Sequence, residues 1–411
     1  MIRMALRQSP QRTPTMARTF AILVALFSMG LGSSAQAQDL GEADVIRLAK
    51  AQDPGALVAR AEIAMAKVAI EEAKIRKNPS LSVNHEHFPG DTGEAEDAIV
   101  LTLPIDLSNR RTSQKRLAES GVATASAAAA RAQSAAVSRS LQLYYRLLAQ
   151  KEALSIELAS MTRLVDAVQI VKRQKEEGKV SGYDQIRIEI ELEVRQSEQR
   201  QTSLRISQMQ RELASLLGVQ DVKATFTGSL EIVAAQQDTK PPPSLSFLRM
   251  AATHAAQARS ATKKWLPTLQ LSAGPRIGIG DDTRYGYVAG ISVELPFYSK
   301  NESLQARARA QVSLTEARIR ESEVVRKRQH TQAEEIMKAA SAEARRFEEA
   351  TSSRVDRLER AAASRYREGQ SIIELLDAQR TRSQIGNRRL QLRLTAKEAE
   401  VSLRAARGEF E

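Results

Sequence analysis

The sequence predicts a mixed α/β protein made of two copies of one unit, each with a long helical hairpin and two short strands. Three observations carry this. The stretch AIVLTLPIDLSNR (98–110) returns as AGISVELPFYSKN (289–301), with Pro104 and Pro296 192 residues apart and an asparagine five residues after each. Between such landmarks lie helical stretches far longer than a globular domain needs. The strands alternate apolar and polar residues over about the 9–11 residues that cross an outer membrane.

Further pairs extend the duplication. KNPSLSV (77–83) resembles WLPTLQL (265–271), QKEEGKVSGYDQ (174–185) resembles RYREGQSIIELLDAQ (365–379), and SLLGV (215–219) resembles AARGE (405–409). Their spacings agree within a few residues, the signature of an internal repeat. The reading is a leader at 1–37, a first repeat at 38–218, a linker at 219–243 and a second repeat at 244–411. Pro241, Pro242 and Pro243 break any helix in the linker.

Each repeat has the same order. A helix comes first (42–76, then 244–264). Two strands follow, at 79–88 and 98–105 within a hairpin spanning 79–106, and at 267–280 and 285–297 within a hairpin spanning 267–297. A long helix occupies 109–177 and 301–368. A glycine turn follows, near 178–184 and 369–377, and a helix returns over 184–217 and 372–407. Ten alanines in the nineteen residues 118–136 favour helix. Leu154, Leu158, Met161, Val165 and Val168 recur at spacings of 4 and 3, the seam of a coiled coil. In 268–280 the odd-numbered residues from Leu269 to Ile279 are apolar, and the even-numbered ones are polar or small. A soluble half-buried sheet shows the same alternation. Four strands cannot close a barrel, and bare edges in lipid are prohibitively costly, so a membrane reading requires several chains to share one barrel.

Composition narrows the function. The chain has 411 residues and no cysteine. Disulfides, thiol catalysis and a lipid anchor on an N-terminal cysteine are therefore excluded. Arg3, Arg7, Arg12 and Arg18 precede the apolar run 20–32, and Ala35-Gln36-Ala37 supplies a cleavage site, the layout of a secretory signal peptide. Met16 also begins a complete signal. Removing residues 1–37 takes four arginines from a net charge of +12 and leaves +8, spread along helical stretches. No basic block with interleaved aromatics points to nucleic acid. There is no phosphate loop, metalloprotease motif or nucleophile elbow, so the expectation is no enzyme and no cofactor.

The chain resembles the TolC family of outer membrane efflux proteins. The resemblance covers about 42–408 and rests on the paired strand ends LTLPIDLSNRR (101–111) and VELPFYSKNE (293–302), on YREGQSIIELLDAQR (366–380), and on the duplication. It implies a homotrimer in which three chains form a twelve-stranded barrel in outer membrane lipid, continued by an α-helical barrel through the periplasm. That assembly is the exit duct of a tripartite system, with a periplasmic adaptor protein and an inner-membrane RND-type pump as partners. NPSLSVNHEHF (78–88) looks most like the outer membrane components of heavy-metal cation (Czc-type) systems. The rivals are a secreted or periplasmic coiled-coil scaffold or adhesin, and a periplasmic metal-binding protein.

Candidate sites follow. By the resemblance, Asp184, Glu374 and Asp377, just after the turn glycines, face the narrowed entrance, where threefold symmetry would repeat each as a carboxylate ring favouring cations. The same residues also suit solvated helix starts that favour the helix dipole. Gly178, Gly369, Arg365 and Ser371 mark the tips that would meet the adaptor. Arg365 lies four residues before Gly369, whereas Gln174 holds that place before Gly178. Tyr285, Tyr287 and Phe297 near strand ends suit an interfacial aromatic girdle. His85 and His87 share a strand face and can present two imidazoles to a metal, with the acidic run Asp91, Glu94, Glu96 and Asp97 following. A polar strand end and a solvated loop explain the same residues.

Overall fold

The computed structural model describes residues 39–87, 95–219, 225–232, 241–261, 267–280, 282–294, 301–368 and 372–411. The leader, Asp91, Glu94, Phe297, Gly369 and Ser371 lie outside them. In chain order the elements are β1 (Asp39–Leu40), α1 (Glu42–Gln52), α2 (Pro54–Lys74), β2 (Ser80–His87), β3 (Ala95–Asp106), α3 (Arg110–Glu176), α4 (Gly182–Leu216), β4 (Thr225–Phe226), α5 (Pro243–Ala261), β5 (Thr268–Ile279), β6 (Arg284–Glu294), α6 (Glu302–Arg367) and α7 (Ile372–Arg407).

Helix α3 has 67 residues and α6 has 66, so at ~1.5 Å per residue each is about 100 Å long. Both begin at an asparagine in the left-handed conformation, Asn109 (φ 55°) and Asn301 (φ 60°). Asparagine tolerates that conformation better than other residues with a side chain. Its carbonyl accepts the first helical bond, from Ser113 N at 3.0 Å and from Gln305 N at 2.9 Å. The asparagines of the repeated motif are thus the joints where a strand becomes a helix. The far end of α3 is closed by Gly178 (φ 72°), with Lys179 N donating to Gln174 O at 2.8 Å. Gly218 and Gly408 end α4 and α7 in the same left-handed way.

The strands form one antiparallel sheet in the order β2-β3-β5-β6. Its register puts Leu101 opposite Leu81 and Ala273, and Leu271 opposite Leu103 and Ile291. One face therefore carries Leu81, Val83, Ile99, Leu101, Leu103, Leu271, Ile277, Ile291 and Val293, all at least partly exposed. The other carries Ser82, Asn84, Thr102, Gln270, Ser272 and Glu294, and an ion pair between Arg276 and Glu96. Among the described residues no helix is long and apolar enough to cross a membrane.

The helices wrap in two tiers. Beside the sheet the packing order is α2-α3-α5-α6, and toward the tip it is α4-α3-α7-α6. Between the tiers a core gathers Leu40, Val45, Leu141, Tyr144, Leu213, Phe226, Val401 and Phe410. A second core at the tip joins Leu164 and Val171 of α3, Ile188 of α4, Tyr366 of α6, and Ile372 and Leu376 of α7.

Four sequence expectations are corrected. The helix read over 42–76 is two helices. Pro54 lacks an N–H and disfavours helix at the residue before it, so Asp53 turns the chain and caps α2, accepting from Gly55 N at 2.8 Å. Strand β3 starts at Ala95 rather than 98, so Glu96 and Asp97 are strand residues and not part of an acidic loop. The linker contains β4, paired in parallel with β1; two residues are too few to show a period. Finally, the buried side of α3 near the tip is Ser160, Leu164, Ala167, Val168 and Val171, while Leu158 and Val165 of the expected seam stay 40% exposed. Helix α3 packs on α4 and α7 at once, so its buried band combines two seams.

Candidate functional site

Two regions hold the residues singled out in the sequence: the helix tip and the distal end of the sheet. At the tip, Ser181 caps α4. It accepts from Asp184 N at 3.2 Å and donates to the Asp184 carboxylate at 2.6 Å. Asp184 thereby serves as a helix-start carboxylate, and its charge also reaches the Tyr366 phenol. Tyr366 is held above its ordinary pKa by burial first and by Asp184 second. Its hydroxyl donates to Gln174 Oε1 at 2.8 Å, tying the end of α6 to the end of α3. The position where the first tip departs from the second thus acquires a partner. Glu374, in the first turn of α7, pairs with Arg365 of α6 at 3.1 Å. Asp377 is exposed on the next turn, and its charge adds to those raising the Arg380 pKa.

A cluster that the sequence did not reveal lies just above. Glu191 of α4, only 8% exposed, accepts from Arg380 Nε of α7 at 3.2 Å and from Arg195 Nε at 3.2 Å. A second Arg380 nitrogen reaches the other carboxylate oxygen. The Arg380 hydrogen bond, more than any other influence, holds the Glu191 pKa below its ordinary value. This is the main charged tie between α4 of the first repeat and α7 of the second among the described residues. The two residues are 189 positions apart in mixed-charge helices, and nothing in their local sequence hints at the meeting.

A buried network between the tiers was equally hidden. Lys397 Nζ donates to Glu400 at 3.0 Å and to Glu231 O at 2.8 Å, and lies 5.0 Å from the centre of the Tyr145 ring. The Tyr145 hydroxyl donates to Glu42 at 2.6 Å, and Glu42 also pairs with Arg404. Burial is the largest influence on Glu400 and pushes its pKa up. In sequence these charges look like an ordinary solvated helix face.

At the distal end of the sheet, His85 faces Asp97 across the strands, with Nδ1 to Oδ1 at 2.6 Å. His87 lies opposite Ala95 on the same face. Among the described residues no three His, Cys, Asp or Glu side chains converge as metal ligands. Tyr285 and Tyr287 stand on the apolar face, 82% and 84% exposed. An exposed tyrosine pair on an apolar face fits a boundary between lipid and water.

No family model and no curated protein matches the sequence. Solved structures do match the fold. The outer membrane protein VceC of Vibrio cholerae aligns with TM-score 0.70 at 16% identity over 89% of this chain and 96% of its own. The outer membrane channel CmeC of Campylobacter jejuni gives 0.67 at 14% over 89% and 85%. CusC, whose structures describe folding and transmembrane channel formation, gives 0.66 at 16% over 92% and 95%. The chain has the TolC-like channel fold of long helices joined to an antiparallel sheet.

Proposed function

We propose that the chain is one of three identical subunits of a passive exit duct in the outer membrane, without catalytic activity of its own. One observation carries this reading: every layer has the same open edges. The sheet ends at β2 on one side and β6 on the other, and the helical tiers end at α2 and α4 on the one side and α6 on the other. Apolar residues stay exposed on these edge helices: Val58, Met65 and Val68 on α2, Tyr183, Ile186 and Ile190 on α4, and Leu314, Val324 and Leu358 on α6. A layer with two complementary open edges closes by repetition around an axis, and a closed barrel leaves no bare strand in lipid. Three copies give twelve strands, with the apolar face toward lipid and the polar face around the pore.

The family resemblance extends the reading. The tips at Gly178 and Gly369, with Arg365 and Ser371, meet a periplasmic adaptor, and an inner-membrane pump supplies the energy. Asp184, Glu374 and Asp377 line the entrance as threefold rings and bias it toward cations, in keeping with heavy-metal export. The fold of the outer membrane channels supports the duct, and the exposed apolar sheet face argues against a soluble scaffold. The deciding experiment is membrane fractionation followed by chemical cross-linking in detergent. The protein is expected in the outer membrane fraction, with cross-links stopping at three subunits. A soluble monomer without detergent overturns the reading.

A further inference from the structure

The seam inside the chain predicts the seam between chains. The sheet is two hairpins, β2-β3 and β5-β6, joined by the β3-β5 pairing. The hairpins superimpose in register: the pair Ser80–Thr102 becomes Thr268–Glu294 when β2 is shifted by 188 residues and β3 by 192. These are the spacings of Pro79 to Pro267 and of Pro104 to Pro296. The β3-β5 seam is therefore a contact between the second strand of one hairpin and the first strand of the next. In a ring of such hairpins the contact between β6 of one copy and β2 of the following copy is of the same kind.

We infer that β6 pairs antiparallel with β2 of the next copy in the register of the β3-β5 seam shifted by one hairpin, so that Glu294 faces Asn84 of the partner subunit. This inference rests on the duct reading and deepens it. The pair Thr102–Ser272 maps onto it, and Leu101–Ala273 maps onto Val293 facing the partner's His85. Every mapped pair keeps its face. Val293 lies on the apolar side with His85, and Glu294 lies on the polar side with Asn84. A slip of one residue would set the apolar residues of β6 against the polar row of β2. A slip of two would keep the faces and is excluded only by the inner seam.

Consequently His85 stands on the strand at the junction, with Asp97 of its own chain across from it on one side and Val293 of the partner subunit on the other. The edge histidine is thus a seam residue, and the contact that meets its polar need is the one with Asp97 in its own chain, at 2.6 Å.

The chain has no cysteine, so the register can be read by disulfide trapping in the full-length protein. Directly opposed strand residues have Cβ atoms ~4.5–5.5 Å apart, near disulfide reach, and a shift of two residues moves a partner by roughly 6.8 Å. The double variant Asn84→Cys with Glu294→Cys is compared with Ser82→Cys with Glu294→Cys and with Glu86→Cys with Glu294→Cys. Each is oxidised in detergent after size measurement confirms the trimer. The expected result is a covalent ladder to three chains for the first variant, at least ten times stronger than for either shifted variant, and no ladder for the single variants. A trimer that cross-links best through Cys at position 82 or 86, or through none of the three, overturns the register and leaves the duct standing. A protein that never forms the trimer overturns both.

Discussion

At Gly274, β5 passes close against the backbone of β3. A Cβ built there falls 1.7 Å from the Ile99 carbonyl oxygen and 2.8 Å from the carbonyl carbon. Real Cβ atoms keep at least ~3.0 Å, so Gly274→Ala drives the strands apart by about 1.3 Å, since the obstacle is backbone and cannot rotate away. Ladder bonds near 2.9 Å would then exceed 4 Å and cease to be hydrogen bonds. The flanking pairs Ala98–Arg276 and Leu101–Ala273 give up two to four bonds between them. At ~1 kcal/mol net each, and more out of water, the loss is roughly 2–4 kcal/mol. Because β3-β5 is the link between the two hairpins, the cost falls on the sheet, and through it on closure of the proposed barrel, and not on the helices. The assay is the yield and melting temperature of detergent-extracted trimer, with helix content by circular dichroism as the internal control. Gly286→Ala is the matched control, because a Cβ on Gly286 meets nothing within 4 Å. The reasoning fails if Gly274→Ala forms trimer with wild-type yield and melting temperature, or if Gly286→Ala does equal damage.

Three other outcomes are expected. Glu191 has its pKa lowered from 4.5, chiefly by Arg380, so its contribution is complete above 4.5 and is lost as pH falls through the lowered value. Melting followed from pH 7 to pH 3 should show this loss in the wild type and a flatter profile in Glu191→Gln; identical profiles refute it. Asn109→Val should cost about 1–2 kcal/mol through left-handed strain, seen as a lower melting temperature, while Asn109→Gly should not. Lys397→Met should cost about 3–5 kcal/mol by leaving Glu400 buried without its cation, and Lys397→Met with Glu400→Met should recover most of that loss; equal melting temperatures for the single and double variants would count against it.

The parts legible in the sequence were those written as periods. The two faces of β5 and β6 and the long helices follow from alternation and from alanine content, because burial acts on every residue of an element alike. The turn glycines were legible because only glycine is cheap at positive φ, as the 65–84° at Gly178, Gly218 and Gly408 shows. What stayed hidden depended on single meetings. Glu191 with Arg380, and Lys397 with Glu400 and Tyr145, join residues whose neighbours in sequence are as charged as they are. Nothing local separates a buried ion pair from a solvated one. Asn109 and Asn301 were visible as a repeat, but their left-handed backbone was not, since asparagine is equally at home in a loop.

The hidden middle of the molecule also shows what the duplication leaves unequal. Each repeat has a junction where a returning helix ends against the start of a shorter one. In the first, Gly218 at the end of α4 rests on Gln52, and α1 and β1 lie over it, so that Leu213 and Leu217 are fully buried. In the second, Gly408 rests on Pro242, and Glu411 caps α5 through Ser244 N at 2.7 Å. No helix equivalent to α1 covers this junction among the described residues, and an open groove of about 720 Å³ runs between α3, α6 and α7. Its walls include Arg131, Gln142, Arg326, Gln329 and Glu398. The groove is open to solvent, so the charged and amide side chains on its walls stay hydrated beside apolar ones such as Val325 and Ile336. The charged composition of α6, a helix with few buried residues, suits an element that borders an open groove at the place where the first repeat is covered by α1 and β1.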